Sequence, residues 1–560
     1  MDFSMLAQSS GPDLGKMPYI MFGAYLVLLM GIGGYGYIKS KMSEEDYYLA
    51  GRKQSFIVTV LTIMAAYFSS AGMLGFPGTA YKEGVAFFLM TLNLPVAGCA
   101  IYLLGSRIGR IGRVKGYVTP ADMISDYYDN SSILRILVAF IGFLYGVPYL
   151  IIQIRAGGHI AEQIFSSTPT VMILGGEYTV FAVGTTILTL VMMLYVLVGG
   201  MRSVALADVV QGSLLLCGTL VAGGVTIYAF GGVGKYFEAV SNLPPKALSL
   251  PGVTDRFSPW TMLTICIFAS IASIIQPAQW MRLYAAKSAR ALKQSAVTFC
   301  AILPVCFLLG IMLVGLGARA MYPPTETIDA VTGAVTSVTA HPTIGNFDQA
   351  LVALLKNKGV EVLGTAGPFV VMLILMAILA AAMSTADASL HALSAILTRD
   401  IYDRYIRPKA GEKERAWVGR IVIVIAALFA LWLVQVGQHN QDFKPLQMIT
   451  EMMFVAIAFS CQILPVTIDM LFIRKGTRAG AICGMIAGLA VVFCFTPLPS
   501  LLLGGGLGSD IADGAAYFKK LFDIGFCGFV VNLPVFVLVS LFTKKPNPER
   551  VAEFKQIGKG

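Results

Sequence analysis

The sequence predicts an all-α polytopic membrane protein, and two observations carry that reading. Of its 560 residues, 56% are hydrophobic and only 13% charged, with a mean hydropathy of +0.75. A water-soluble chain of this size carries closer to a quarter charged residues. Apolar runs of about 20 residues also recur along the whole length, each long enough to cross a hydrocarbon core of about 30 Å.

The formal charge of +10 does not mark a nucleic-acid binder. Its Lys and Arg residues gather in alternate short loops, the positive-inside pattern. The nine cysteines lie singly in apolar segments without CxxC spacing and read as small core side chains. The expected setting is a lipid bilayer, the plasma (bacterial inner) membrane.

About thirteen spans are read, at roughly 17–38, 55–80, 84–106, 132–166, 175–199, 203–231, 259–281, 292–318, 366–398, 416–437, 447–473, 479–500 and 520–543. The first is too long for a signal-peptide core and lacks a small-residue cleavage site, so it is expected to be retained. Basic residues follow the odd-numbered spans: Lys39 to Lys53, Arg107 to Lys115, Arg202, Arg282 to Arg290, Arg399 to Arg415 and Arg474 to Arg478. The tail "TKKPNPERVAEFKQIGKG" falls on that same side, which by charge is cytoplasmic, placing the N-terminus outside.

Two spans are interrupted. The second contains "SSAGMLGFPG", with Gly72, Gly75, Pro77 and Gly78, and the seventh contains "IIQPAQW", with Pro277. Proline removes an intrahelical hydrogen bond and glycine weakens the helix. Inside a bilayer the freed backbone groups need protein, water or an ion. Interruptions at matching positions of two halves point to a transporter site at the midplane. The chain then divides into 1–54 (outer segment, extra first span and cytoplasmic loop), 55–231 (first five-helix half) and 232–258 (outer loop). The second half follows at 259–473, with a polar loop over 319–365 expected to hold short helices above the site, and 474–560 adds two spans and the tail.

The most polar stretch within an apolar span is "AAAMSTADASLHALSAILTRDIYDRY", residues 380–405. Residues three and four apart share a helix face, so Ala381, Ser384, Thr385, Asp387 and His391 form one stripe. Hydroxyl and carbonyl oxygens suit a hard cation. A site with at most one carboxylate fits Na⁺ better than Ca²⁺, which takes several. The alternative for Ser384 and Thr385 is bonding back to carbonyls one turn earlier; an intramembrane Asp beside them favours an ion site.

This stretch resembles the eighth core helix of the sodium/solute symporter family. The resemblance continues in "EEDYYLAGR" before the second span, "VGGMRSVALADVVQ" before the sixth and "RLYAAKS" after the seventh. It covers about residues 15–480 and implies a leucine-transporter-like core of two inverted five-helix repeats with alternating access. It also implies a sodium site made by the carbonyls of Ala65, Phe68 and Ala381 with the hydroxyls of Ser384 and Thr385. Asp208 matches a family acid near the sodium exit path. With Asp387, where relatives often have Ser, it makes a candidate second cation or proton site, the alternative being a salt-bridge role. Na⁺ is therefore the expected coupling ion.

The solute is less legible. Tyr67, Gly72, Thr91 and Tyr149 stand where sugar-transporting members place Asn, Gln, Glu and Asn, which argues against a hexose. The proline-transporting members have an Asp where this chain has Tyr67, which weakens that reading too. Arg155, between apolar runs of the fourth span, has a planar fork suited to a carboxylate; the alternatives are pairing with Glu162 or snorkelling. "VPYLIIQ" and "RVKGYVTPADMISDYY" look closest to monocarboxylate- and pantothenate-type branches. A small organic anion is the leading expectation, with Tyr67, Ser69, Ser70, Tyr149, Arg155, Gln276 and Gln279 as candidate solute contacts. An amino acid or another solute, proton coupling, and a non-transporting sensor remain alternatives. An enzyme is not expected, since no HExxH, GxSxG or Gly-rich phosphate loop stands out. Interrupted helices in matching halves also speak against a channel. The need for a small partner subunit is left open.

Overall fold

The computed structural model describes residues 14–39, 43–165, 170–173, 175–329, 335–439, 449–496, 499 and 507–559. Helices dominate, with two small antiparallel hairpins, Thr170–Ile173 with Gly176–Thr179 and Thr325–Ile328 with Val335–Thr339. Among the described residues eight helices are long and apolar enough to cross a membrane, or ten if two bent pairs each count as one. That is fewer than the thirteen runs read from the sequence, for two physical reasons. Helical structure continues through some turns: Val180–Ala229 covers two predicted spans, joined at Gly200, whose φ of 56° only glycine adopts readily. Phe56–Tyr67 and Arg478–Cys494 are shorter than a full crossing. The predicted boundaries at 166, 447 and 500, and residues 1–13, lie outside the described residues.

The helices cross-pack with small residues at their contacts. The predicted ninth span, Gly367–Ala395, is central, buried over nearly its whole length, and it packs on the fourth and on the joined fifth and sixth spans. Close approach follows from missing side chains. A β-carbon on Gly218 would collide with Ala377, and one on Gly146 would crowd Leu393 at 2.9 Å.

Loops after odd-numbered spans meet on one face. There Arg135 reaches Asp122 at 2.7 Å and Asp400 at 2.8 Å, while Arg399 and Arg415 share Glu44 at 3.0 and 3.5 Å. Asp122 opens the short helix Pro120–Tyr127 in a capping box with Thr119. Burial raises its carboxyl, but Arg399 and Arg135 outweigh that and hold it below the usual carboxylate range. The tail helix Pro548–Lys559 closes this face, with Phe554 against Tyr127 at 5.1 Å and Arg550 on Asp126 at 3.3 Å. On the opposite face the loop before the ninth span does form short helices, from Phe347 to Leu363. Asp348 there accepts from Ile449 N at 3.3 Å.

Candidate functional site

The second and seventh spans both break, but by different local chemistry. Pro259–Ile275 and Pro277–Ala285 meet at 58°. Pro277 cannot donate to the helix behind it, so Gln276 turns extended (φ −65°, ψ 153°) and its side chain caps Ala278 N at 2.6 Å. This is the predicted break. In the second span the break falls ahead of the glycines that suggested it. Phe68 N makes the last helical bond, to Met64 O at 2.9 Å, and Phe68 then leaves helical geometry at ψ 72°. The next donors turn away: Ser70 N to Gln153 Oε1 at 3.1 Å, and Ala71 N to Ser69 Oγ at 3.2 Å. Gly75 and Gly78 instead permit contact, since a β-carbon there would strike Thr450 and the Phe347 carbonyl.

The two breaks face a common cavity. Gln279 Nε2 donates to Ile63 O at 3.2 Å, tying the spans together. Of the candidate solute contacts, Tyr67, Ser69, Tyr149, Gln276 and Gln279 line this cavity. Asn93, Tyr145 and Ser273 join them, and nothing in the sequence had singled these out. Tyr145 stacks on Tyr149 at 4.7 Å, and Tyr67 donates to Asn93 Oδ1 at 3.3 Å. No lining side chain is charged among the described residues. The free volume is 30 Å³, room for about two waters, so a solute enters only when the walls part.

Two candidates lie elsewhere. Ser70 hydrogen-bonds Gln153 at 2.7 Å and serves the break itself. Arg155 does not line the cavity. Its Nε donates to His159 at 3.3 Å, one helical turn on, and His159 meets Glu162 at 3.1 Å. Gln349 of the outer loop also reaches Glu162, at 3.4 Å. The alternative reading, a protein acid as partner, is thus approached through His159. Arg155→Gln is expected to leave solute affinity within about threefold of the parent, as for substitutions away from a site. Titration of solute binding checks this, and a larger loss would return Arg155 to the solute.

The polar stripe of the ninth span meets the second, fifth, sixth and seventh. Asp208, fully buried, accepts from Ser384 Oγ at 2.5 Å and from Thr62, and pairs with Arg282 at 3.0 Å. The salt-bridge alternative for Asp208 is therefore the observed geometry. Asp387, also fully buried, accepts from the Tyr195 hydroxyl, and its Oδ1 has no partner. Thr385 Oγ1 is likewise buried and unpartnered. It does not bond back to a carbonyl of the preceding turn. A buried hydroxyl oxygen without a partner, next to Ser384 on the same helix, is the kind of hard oxygen donor that suits a monovalent cation. His391 Nε2 lies 3.2 Å from Tyr48 O.

Apolar helices crossing a bilayer, two of them broken opposite each other around a small polar cavity, with an oxygen-lined stripe alongside, define a secondary transporter. The chain belongs to the sodium:solute symporter family, whose model matches residues 47–488. It is a multi-pass membrane protein and a Na⁺-coupled symporter of a small solute. It is 25% identical to a sodium/proline symporter of Haemophilus influenzae, over 98% of each chain. It is 26% identical to the osmoregulated proline transporter OpuE of Bacillus subtilis, over 94% of this chain and 95% of that one. The fold is shared with a Na⁺-coupled sialic acid symporter solved substrate-bound and outward-open (TM-score 0.71, 18% identity, 96% of this chain and 100% of that one). It is shared more loosely with MhsT solved with L-phenylalanine (TM-score 0.50, 14% identity, covering 86% and 98%).

Proposed function

We propose that the protein couples Na⁺ to the uptake of a small zwitterionic amino or imino acid. The observation that carries this is the uncharged cavity wall. A carboxylate and an ammonium brought in together need no fixed counter-charge, whereas a lone buried anion does. The wall offers both polarities: hydroxyls of Ser69 and Tyr149, and an acceptor in Gln279 Oε1, which is buried without a partner. That two relatives are named proline transporters supports the same class. A monocarboxylate is the second reading, favoured by the absence of any acid for an ammonium; its charge would rest on the bound Na⁺.

Na⁺ is held, in this reading, by carbonyls of Ala65, Phe68 and Ala381 with Ser384 and Thr385. Asp208 needs no second cation, because Arg282 neutralises it. Asp387, with its free oxygen, remains the candidate for one. Asp387→Asn is expected to change the charge moved per solute, measured as current against uptake in reconstituted membranes; an unchanged ratio contradicts that role. The two halves 55–231 and 259–473 rock around the site, in a bacterial inner membrane with the ion-paired face cytoplasmic.

The test is thermal stability of the purified protein in NaCl against KCl, with proline, other amino acids and small monocarboxylates. A ligand of the native state stabilises it in proportion to its occupancy. Stabilisation by an amino acid only with Na⁺ supports the reading. Stabilisation by monocarboxylates alone moves it to the second.

A further inference from the structure

Away from the transport site, on the ion-paired face, two cavities run into each other between the first, fifth and tenth predicted spans. The upper one, 180 Å³, is lined by Glu44, Tyr47, Glu412, Lys413 and Arg420 among others. The lower one, 580 Å³, is walled by Leu197, Ile421, Val424 and Ile425. They share Tyr37, Val198, Trp417 and Arg420. A polar chamber thus adjoins an apolar groove on the outside of the bundle, where Ile421 and Ile425 are exposed.

Arg420 stands at the junction. Its Nε donates to Leu197 O at 3.3 Å, and its guanidinium lies 5.4 Å from the Trp417 ring and 6.0 Å from the Tyr47 ring. Among the described residues no carboxylate lies within ion-pair distance of it or of Lys413. Glu44 is already committed to Arg399 and Arg415. Of the charged residues lining the chamber, Glu44 is thus held by arginines outside it, while Lys413 and Arg420 are two cations beside the one further carboxylate, Glu412. Trp417 and Tyr37, 63% and 49% exposed, are the amphipathic rings that settle at headgroup depth.

We propose that this paired cavity binds one anionic phospholipid. Its phosphodiester, of charge −1, sits in the chamber against Arg420 and Lys413, and an acyl chain lies along Val424 and Ile425. A guanidinium with free N–H groups suits phosphate oxygens, and basic pockets between spans on the positive face take such headgroups. The inference is independent of which solute is carried.

The test is retention of phosphatidylglycerol against phosphatidylcholine by the purified full-length protein, counted by native mass spectrometry after exchange into equimolar mixed micelles. The parent is expected to retain phosphatidylglycerol preferentially. Arg420→Gln is expected to cut that preference about fivefold, the scale of one cation at a membrane surface, with Arg420→Lys keeping most of it. Val424→Trp, which fills the groove without altering charge, is expected to lower retention as well. Glycerol phosphate added in excess distinguishes the sources: a headgroup-only anion site would be emptied by it, which overturns the lipid assignment. Equal retention of the two lipids by the parent, or an unchanged preference in a folded Arg420→Gln protein, also overturns it.

Discussion

Thr385→Ala is expected to raise the Na⁺ concentration for half-maximal solute binding by about 10- to 100-fold, while leaving the ion-free protein no less stable. A contact to a charged group contributes about 1.5–3 kcal/mol, and each 1.4 kcal/mol is tenfold in affinity. The second half of the expectation is the more telling. Thr385 Oγ1 is buried and unpaired, and an unmet buried polar group costs about 1–3 kcal/mol. Alanine removes that cost together with the ligand. A Thr that packed structurally would show the reverse, a lower melting temperature in KCl with Na⁺ affinity intact. Melting curves over a NaCl titration at constant ionic strength separate the two outcomes.

The second large effect concerns Asp208 and Arg282. The pair is buried, with side chains 0% and 1% exposed, and it gathers Thr62 and Ser384 around it. Breaking a buried pair by removing one partner costs about 3–5 kcal/mol, because a charge is left without compensation. Asp208→Asn and Arg282→Met are each expected to fail to accumulate folded protein. The double substitution Asp208→Leu with Arg282→Met is expected to recover most of the folded yield, read by size-exclusion of a fluorescent fusion. It would still be transport-impaired, since Ser384 loses the acceptor that orients it. A single variant folding as well as the parent would contradict the pairing.

Sequence patterns reached the membrane architecture because hydropathy and loop charge act over tens of residues and need no tertiary information. They reached the seventh-span break because Pro277 carries its own cause. The second-span break was placed too late, at Gly72 to Gly78. At the break itself Ser70 N turns to Gln153, 83 residues away, a partner no local rule sees. A third bend, 44° between Ile449–Cys461 and Leu464–Ile473, was missed although Pro465 marks it. Gln462 there is satisfied by Gly525 O and Asn532.

The ion stripe was legible because i+3 and i+4 spacing survives in any helix. Partner choice was not. Asp208 pairs with Arg282, a partner no local pattern names, and Arg155 turns to His159 instead of the cavity. Asn93, Tyr145 and Ser273 reach the solute cavity through helix rotation, which a sequence of apolar spans does not reveal.

The central claim is that the broken second span joins solute cavity and ion stripe into one coupled site. Calorimetric titration of the purified protein with proline, in NaCl and then in KCl, with the parent and Thr385→Ala, tests it most directly. The account predicts tight binding to the parent in NaCl, weak binding in KCl, and a Thr385→Ala protein whose affinity in NaCl falls toward its KCl value. Equal affinity in both salts, or a Thr385→Ala protein with the parent's full response to Na⁺, would contradict it.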